Sequence, residues 1–501
     1  MIYPAYLFVP LIATLLRGTA LAIPAPTQTT PSTNSSLNWT PCPSPFPQNF
    51  QCAELSAPLH YSRANEQTVT LNVVKIPAKN SSARLGTLVF QEGGPGYPTA
   101  AHLISYDNQV GWQRIQERFD VVALDSRGVG VNYPMKCDPQ LWNQFASTLS
   151  YPKTEQQWQQ TLEFFENFGS DCKNRTGAEI WPTFDTLTSA RDLETLRSAL
   201  GEGGINYYGL SWGSQRGQQY AQLYPNNIRT LALDSVLDHT SQPENLIVDS
   251  AISFGLAADF FYDWASTNKS SVLYGQDVKT LFLNLAKQLD QTPATLTECV
   301  QSGNCYPNVT RQDLLSFLSG QLDFTRSFPS LAQAIAEMAQ GNYSVLAAPI
   351  VTEETSSAWS FMIGCNDWST NETYVDFSNR LIAERELTGA PEGGDYVGAT
   401  AWDLWMLYCP RWPTDVSNPP KPLDIANTSA PVLLVNALWD PETPYSGAVN
   451  VQRQIGGSVL LTRHGEGHGS FLVDGGGEAM DIIMEYLLTG ALPAPGTVVY
   501  S

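Results

Sequence analysis

The chain has 501 residues, 43% of them hydrophobic and 15% charged, with 48 acidic against 27 basic side chains and a formal net charge of −21. That length and apolar content suffice for a large buried core, arranged as one big domain with an insertion or as two domains. The negative excess excludes nucleic acid as an expected partner, because a phosphate polyanion would be repelled, and it suits solubility in an acidic medium.

Residues 1–22 read as a secretory signal, with an apolar run from Tyr6 to Leu16 ahead of the small-x-small site Ala20-Leu21-Ala22. No Lys or Arg precedes Arg17, so a retained signal-anchor is the alternative. No other apolar run reaches the roughly 18 residues that a membrane span needs. Residues 23–38 are rich in Pro, Ser and Thr and read as a flexible leader. Thr68–Ile76 alternates like a strand, and Gly86–Gln91 is a buried-type strand running into Glu92-Gly-Gly-Pro-Gly96. Phe119–Asp125 is another, followed by Ser126-Arg-Gly-Val-Gly130. A helix over Thr188–Leu200, a strand at Ile205–Tyr208, a helix-like stretch over Ser214–Leu223 and a strand at Ile228–Asp234 follow. From 236 to 425 helical patterns dominate, among them Asp277–Leu289, Thr310–Leu322 and Leu331–Ala339. Ala430–Asn436 and Ser458–Thr462 restore buried strands, and Glu478–Leu488 is a closing helix. The fold class predicted is α/β with a mostly parallel sheet. Residues 39–235 and 426–501 form its core, and a mostly helical cap inserted at 236–425 covers the catalytic face at the strand ends. No internal repeat is present.

The eight cysteines are even in number and show no CxxC metal pattern, so disulfides are expected in an oxidising compartment. Sequence neighbours suggest Cys42–Cys52, Cys137–Cys172, Cys299–Cys305 and Cys365–Cys409, although eight cysteines allow 105 connectivities. Nine Asn-x-Ser/Thr sequons, at Asn34, Asn38, Asn80, Asn174, Asn268, Asn308, Asn342, Asn371 and Asn427, are glycan acceptors wherever they are exposed.

The sequence Gly209-Leu-Ser211-Trp-Gly213 follows one short apolar strand and opens a helix. A serine in such a strand-to-helix turn is strained and lifted out of the backbone, and a Cβ at either glycine would hit the neighbouring chain. Ser211 is therefore the candidate nucleophile, which needs a base and a group to orient the base. Along hydrolases of this kind the order is Ser, acid, His. Of five histidines, that order favours His468, in the Gly-rich loop Gly465-Glu-Gly-His468-Gly-Ser, over His464. Asp440, at the Pro-containing turn after the Ala430–Asn436 strand, is the candidate acid, with Asp234 and Glu442 as competitors. An oxyanion hole needs two backbone N–H groups. Trp212 supplies one, and Gly94, with Gly93 next, supplies the other from the Gly93–Gly96 loop, whose alternative is a plain tight turn. No metal or organic cofactor is implied.

Taken in order, Gly93-Gly-Pro-Gly96, Asp125-Ser-Arg-Gly-Val-Gly130, Gly209-Leu-Ser-Trp-Gly-Ser214, Asp440-Pro-Glu-Thr-Pro444 and Gly467-His468-Gly469 resemble the α/β-hydrolase peptidases that include prolyl aminopeptidases and secreted tripeptidyl aminopeptidases. Ile363-Gly-Cys365-Asn-Asp367, Trp405–Cys409 and Pro410-Arg-Trp-Pro413 resemble segments of the tripeptidyl type, and the likeness spans roughly residues 40–495. Glu92 stands where prolyl aminopeptidases usually carry His, which argues against strict proline specificity. The resemblance implies that cap carboxylates hold the substrate's amino terminus; Glu92, Glu353, Glu354 and Asp367 are the candidates, each with the alternative of a solvated or hydrogen-bonded acid. A Cys365–Cys409 bridge would tie Asp367 near the mouth of the core. With the signal, the cysteines and the sequons, the resemblance leads to the expectation of a secreted, glycosylated serine hydrolase that cleaves peptide substrates from free amino termini. An esterase or lipase on the same machinery is the alternative enzyme, and a catalytically silent binding protein is the alternative of another class.

Overall fold

The computed structural model describes residues 37–63, 67–107, 109–148, 152–352, 359–368, 372–388, 407, 409–471 and 477–500. The expected signal at 1–22, most of the leader, and Asn34, Glu353, Glu354 and Asn371 lie outside these residues.

Apolar segments too short for helices pair edge to edge. Among the described residues ten strands form one sheet, in the order β1-β2-β3-β5-β4-β6-β7-β10-β11-β12. They are β1 (Thr40–Pro41), β2 (Gln51–Pro58), β3 (Thr68–Ile76), β4 (Gly86–Gln91), β5 (Phe119–Leu124), β6 (Ile205–Leu210), β7 (Ile228–Asp234), β10 (Leu433–Trp439), β11 (Val459–Glu466) and β12 (Val498–Tyr500). A separate two-stranded ribbon pairs β8 (Ala294–Thr295) with β9 (Asn308–Val309). The pairs from β5 through β12 are parallel, and β1, β2 and β3 add an antiparallel edge. β4, β5 and β6 are buried on both faces, so they read as continuous apolar runs rather than alternating ones.

Period-two alternation sorts their side chains to opposite faces. Val89, Val122, Tyr207 and Leu233 pack on one side with helices α4 (Glu155–Thr176), α5 (Thr186–Ala199) and α6 (Trp212–Leu223). Leu88, Phe90, Tyr208 and Leu210 pack on the other with α1 (Thr99–Tyr106), α2 (Val110–Gln116) and the helix Glu478–Thr489. Helix α3 (Pro139–Thr148) precedes α4. This is the α/β-hydrolase architecture, a mostly parallel sheet covered by helices on both faces.

Between β7 and β10 no described residue joins the large sheet. That interval holds α7 (Pro243–Thr267), α8 (Val278–Gln291), α9 (Thr297–Ser302), α10 (Arg311–Gln321), α11 (Phe328–Met338), α12 (Trp359–Asp367) and α13 (Tyr374–Thr388). Local chemistry starts them: Pro243 stands in the first turn of α7, Asp277 caps α8, and Thr310 with Asp313 forms a reciprocal capping box on α10. The interval divides in two by packing. Helices α7 to α11 bury Phe254, Phe261, Phe282, Leu314 and Ile335 in a cluster of their own that also takes in Trp212. Met362, Cys365, Phe377 and Trp412 instead join Trp158, Phe165 and Phe168 of α4 in the cluster of the sheet. Among the described residues no helix is long and apolar enough to cross a membrane.

The cysteines are joined as Cys42–Cys52, Cys137–Cys172, Cys299–Cys305 and Cys365–Cys409. Asn38, Asn80, Asn174, Asn308, Asn342 and Asn427 are exposed and Asn268 is half-buried. Thiol titration of the denatured, unreduced protein should find no free thiol, and reduction should release all eight. Two or more free thiols before reduction would contradict the pairing.

Candidate active site

The C-terminal ends of β4, β6, β7, β10 and β11 gather the candidate residues along one edge of the sheet. Ser211 stands between β6 and α6 with φ 58° and ψ −123°, a conformation that a non-glycine residue keeps only where its surroundings enforce it. The enforcement is close packing. A Cβ on Gly213 would lie 2.5 Å from the Gln91 carbonyl oxygen and 2.8 Å from that of Glu92, so α6 starts directly against the end of β4. The same approach sets Gly93 beside Ser211, where a Cβ would come within 2.7 Å of its Oγ. Gly94 follows with φ +110°. Trp212 is the first residue of α6, and its N–H is one of the four at a helix start that have no intrahelical acceptor. Ser211 is 9% exposed.

Asp440 follows β10 and is fully buried. Its Oδ1 accepts from the Glu442 and Thr443 N–H groups, both at 3.0 Å. Its Oδ2 accepts from Thr443 Oγ1 at 2.9 Å and from Ser235 Oγ at 2.6 Å. His468 Nδ1 lies 2.9 Å from Oδ1 and 3.2 Å from Oδ2. The sheet places this pair relative to Ser211: Val435 of β10 pairs with Asp234 of β7, and Asp234 pairs with Leu210 of β6. Burial disfavours both charges. The pair overrides this, so Asp440 is held below the ordinary carboxylate range, and Asp440, Asp323 and Glu442 together raise His468.

Asp234, a competitor for the acid, has another task. Its Oδ2 accepts from the N–H groups of Ser470 and Phe471, at 2.7 and 2.9 Å, and from Tyr208 OH at 2.7 Å. It therefore pins the loop that carries His468. Ser235 shares in this, because its Oγ accepts the Gly469 N–H at 2.7 Å. His464 is exposed and lies within β11, which runs on to Glu466, between Trp439 and Tyr500. Glu442 is half-buried at the Asp440 turn.

Two expected amine-binding acids need correction. Glu92 is 6% exposed and is engaged on both oxygens, by His102 Nδ1 at 2.6 Å and by the Tyr106 hydroxyl. Asp367 is fully buried, and four donors fill its four acceptor positions: Thr186 N–H, Asn418 Nδ2, Gln215 Nε2 and the Thr186 hydroxyl. The Cys365–Cys409 bridge ties it inward, to the packing behind Ser211, rather than to a mouth. The residue that sequence reasoning missed is Asp323, just past α10. Its carbonyl oxygen accepts the His468 N–H at 2.8 Å, and although the residue is half-buried, its Oδ1 is buried without a protein partner. Burial, against the opposing pull of His468, lifts Asp323 to about 6. No motif marks it; only folding brings Leu322-Asp-Phe-Thr to the His468 loop.

Comparison with known proteins agrees with this architecture. Residues 395–499, which carry Asp440 and His468, match the family model described as TAP-like protein. The chain is 26% identical to the tripeptidyl aminopeptidase of Streptomyces lividans, over 95% of this chain and 88% of that one. It is 24% identical to the serine protease Hip1 of Mycobacterium tuberculosis over 93% and 91%, and 25% identical to a protein named carboxylesterase B of the same species over 88% and 85%. The chain is a serine hydrolase of α/β-hydrolase fold that resembles the tripeptidyl aminopeptidase group.

The electrostatics set a pH dependence. Only a neutral imidazole accepts a proton, so kcat/KM should rise with pH through the His468 titration, at a midpoint above the ordinary 6.5. Asp323, at about 6, is ionised there and stabilises the imidazolium. Asp323→Asn removes that charge, lowers the His468 pKa and should move the acid limb to lower pH. Paired pH–rate profiles check it, and an unmoved limb would mean that Asp323 does not act on the imidazole.

Proposed function

We propose that the chain is a secreted serine peptidase that removes short peptides from free amino termini, with Ser211, His468 and Asp440 as its catalytic triad. The observation that carries this reading is the 2.9 Å contact of His468 Nδ1 with fully buried Asp440, on the same sheet edge as the strained Ser211 turn. Ser211 Oγ attacks the peptide carbonyl while His468 Nε2 takes its proton, and the imidazolium then returns that proton to the leaving amine. Asp440 holds Nδ1–H and so fixes the tautomer that leaves Nε2 free to accept. The N–H groups of Gly94 and Trp212 stabilise the tetrahedral oxyanion, and a water repeats the sequence to release the acyl group.

The amino-terminal preference is supported by the acids gathered at the imidazole. Asp323 offers an unpartnered Oδ1, and the charge of Glu442 also acts on His468. An ammonium is the natural complement to such a group, because removing one member of a desolvated pair costs several kcal/mol. The relative named tripeptidyl aminopeptidase points the same way. Residues 236–425 would form the cap that closes one end of the cleft. Secretion is supported by the signal-like residues 1–22, the four disulfides and the exposed sequons. The relative named carboxylesterase B supports a second reading, an esterase on the same machinery, since fold does not settle substrate.

One peptide sequence made with a free amino terminus, with an acetylated one and as a simple acyl ester separates the two. Acetylation should cut kcat/KM by at least about a hundredfold, roughly 2.7 kcal/mol. Ser211→Ala should abolish turnover of all three while the protein stays folded. Equal rates on free and acetylated peptides would sink the aminopeptidase reading and leave the serine hydrolase intact.

A further inference from the structure

We infer that Asp367 is the positioning residue of the oxyanion hole, acting on Trp212 through Thr186. The inference rests on the serine-hydrolase reading above, in which the Trp212 N–H is an oxyanion donor.

A carboxylate buried without solvent is retained only where its environment supplies donors. Asp367 has four, and they come from three places. The Thr186 N–H, at 3.1 Å, opens α5; Gln215 Nε2, at 3.0 Å, lies in the first turn of α6; and Asn418 Nδ2, at 3.0 Å, belongs to the loop beyond the Cys365–Cys409 bridge. The fourth is the Thr186 hydroxyl, and it decides the matter. Because that hydroxyl donates to Asp367, its lone pairs face away, and it accepts the Trp212 indole Nε1–H at 2.9 Å and Gln215 Nε2 at 3.3 Å. The carboxylate thus sets the direction of a hydroxyl, and the hydroxyl anchors the indole of the residue directly after the nucleophile.

This matters at Trp212 more than elsewhere. Its peptide N–H belongs to the same strained turn as Ser211, where the backbone is held by its neighbours and not by its own preference. Trp212 is 1% exposed and belongs to the buried apolar cluster that includes Val129, Leu237, Ile363 and Trp368. Apolar packing alone lets a ring rock in its slot; a directed N–H···O bond at one edge fixes its rotation, and with it the N–H on the attached backbone. The other end of Asp367 is held as well: its carbonyl oxygen lies 3.0 Å from His239 Nε2, and His239 meets Trp368 edge-on at 4.7 Å. An oxyanion donor works only if it is aimed at the charge that develops.

The test is Thr186→Val, which keeps the volume and removes the hydroxyl, with Thr186→Ser as the variant that restores it. With a free peptide substrate, Thr186→Val should lower kcat about 10- to 100-fold, short of or equal to the loss of a whole oxyanion donor, while KM changes less than about twofold. A peptide trifluoromethyl ketone, which forms a tetrahedral oxyanion on the serine, should bind more weakly by the same factor, and Thr186→Ser should recover most of both losses. Wild-type kcat in a Thr186→Val protein of lowered Tm would overturn the inference, leaving Asp367 a purely structural group, as would failure of Thr186→Ser to rescue. Should Thr186→Val not fold, Trp212→Phe removes the indole N–H and leaves Thr186 in place; unchanged kcat there overturns the inference equally. Ser211→Ala run alongside separates the levels. If it is inactive while Thr186→Val is fully active, only the positioning role fails; if Ser211→Ala retains turnover, the serine-hydrolase reading falls and the inference with it.

Discussion

A single buried carboxylate organises the candidate site. Asp440 lies out of reach of solvent, and an ionised group there is tolerable only when its oxygens are filled. It takes two N–H groups and a hydroxyl from its own turn, a hydroxyl from Ser235 at the end of β7 and the imidazole of His468. Satisfying that one group fixes the relative positions of three strand ends. Ser235, at φ 52°, is held in a sparsely populated conformation by this demand, since the same hydroxyl faces Asp440 and accepts the Gly469 N–H. Asp234 does for the next two residues of the loop what Ser235 does for Gly469. The loop that carries His468 is thus positioned by its backbone N–H groups, which donate to Asp234, to Ser235 and to the Asp323 carbonyl, and its glycines at 467 and 469 supply the positive φ angles that this path needs.

The insertion between β7 and β10 meets this edge at two points of different character. Asp323, past α10, presents a carbonyl to the His468 N–H, and its carboxyl, whose Oδ1 is buried without a protein partner, interacts with His468 through its charge. Asp367, at the end of α12, is sealed among the first turns of α5 and α6. One acid therefore lies at the His468 loop and the other stands at the helix start after Ser211. Both are lifted to about 6, yet by surroundings that differ: burial near an opposite charge for Asp323, and burial offset by four donors for Asp367.

The strands around the site were legible because β4, β5, β6, β7 and β10 are continuous apolar runs that stop at turn residues. The Ser211 turn was legible because close packing demands glycine on both sides of it. Neighbouring cysteines predicted their own pairing because each bridge closes a short loop. The sequence reading did not single out helix α4, although Trp158, Leu162, Phe165 and Cys172 lie buried along one face, because its other face is dense in Gln and Glu and dilutes the pattern. The strand holding His464 continues to Glu466, since pairing with β12 and β10 overrides the glycine at 465. Asp323 and the sealing of Asp367 were invisible for a common reason. An isolated acid looks the same in sequence whether it ends in a cleft or against a helix start. Only contacts from positions 51 to 181 residues away decide which.

All four disulfides close local loops, with sequence separations of 10, 35, 6 and 44 residues, so none links the Ser211 half of the sheet to β10 and β11. Those two strands join it without a covalent link, by parallel pairing of β10 against β7 and β11 against β10 and by the hydrogen bonds of Asp234 and Ser235. During synthesis the turn at Ser211 can form 257 residues before the imidazole of His468 exists. The nascent chain is consequently half of the candidate site: it carries the hydroxyl and the glycine loop without the imidazole. Order of assembly alone therefore keeps the Ser211 hydroxyl apart from the His468 imidazole until the last strands dock.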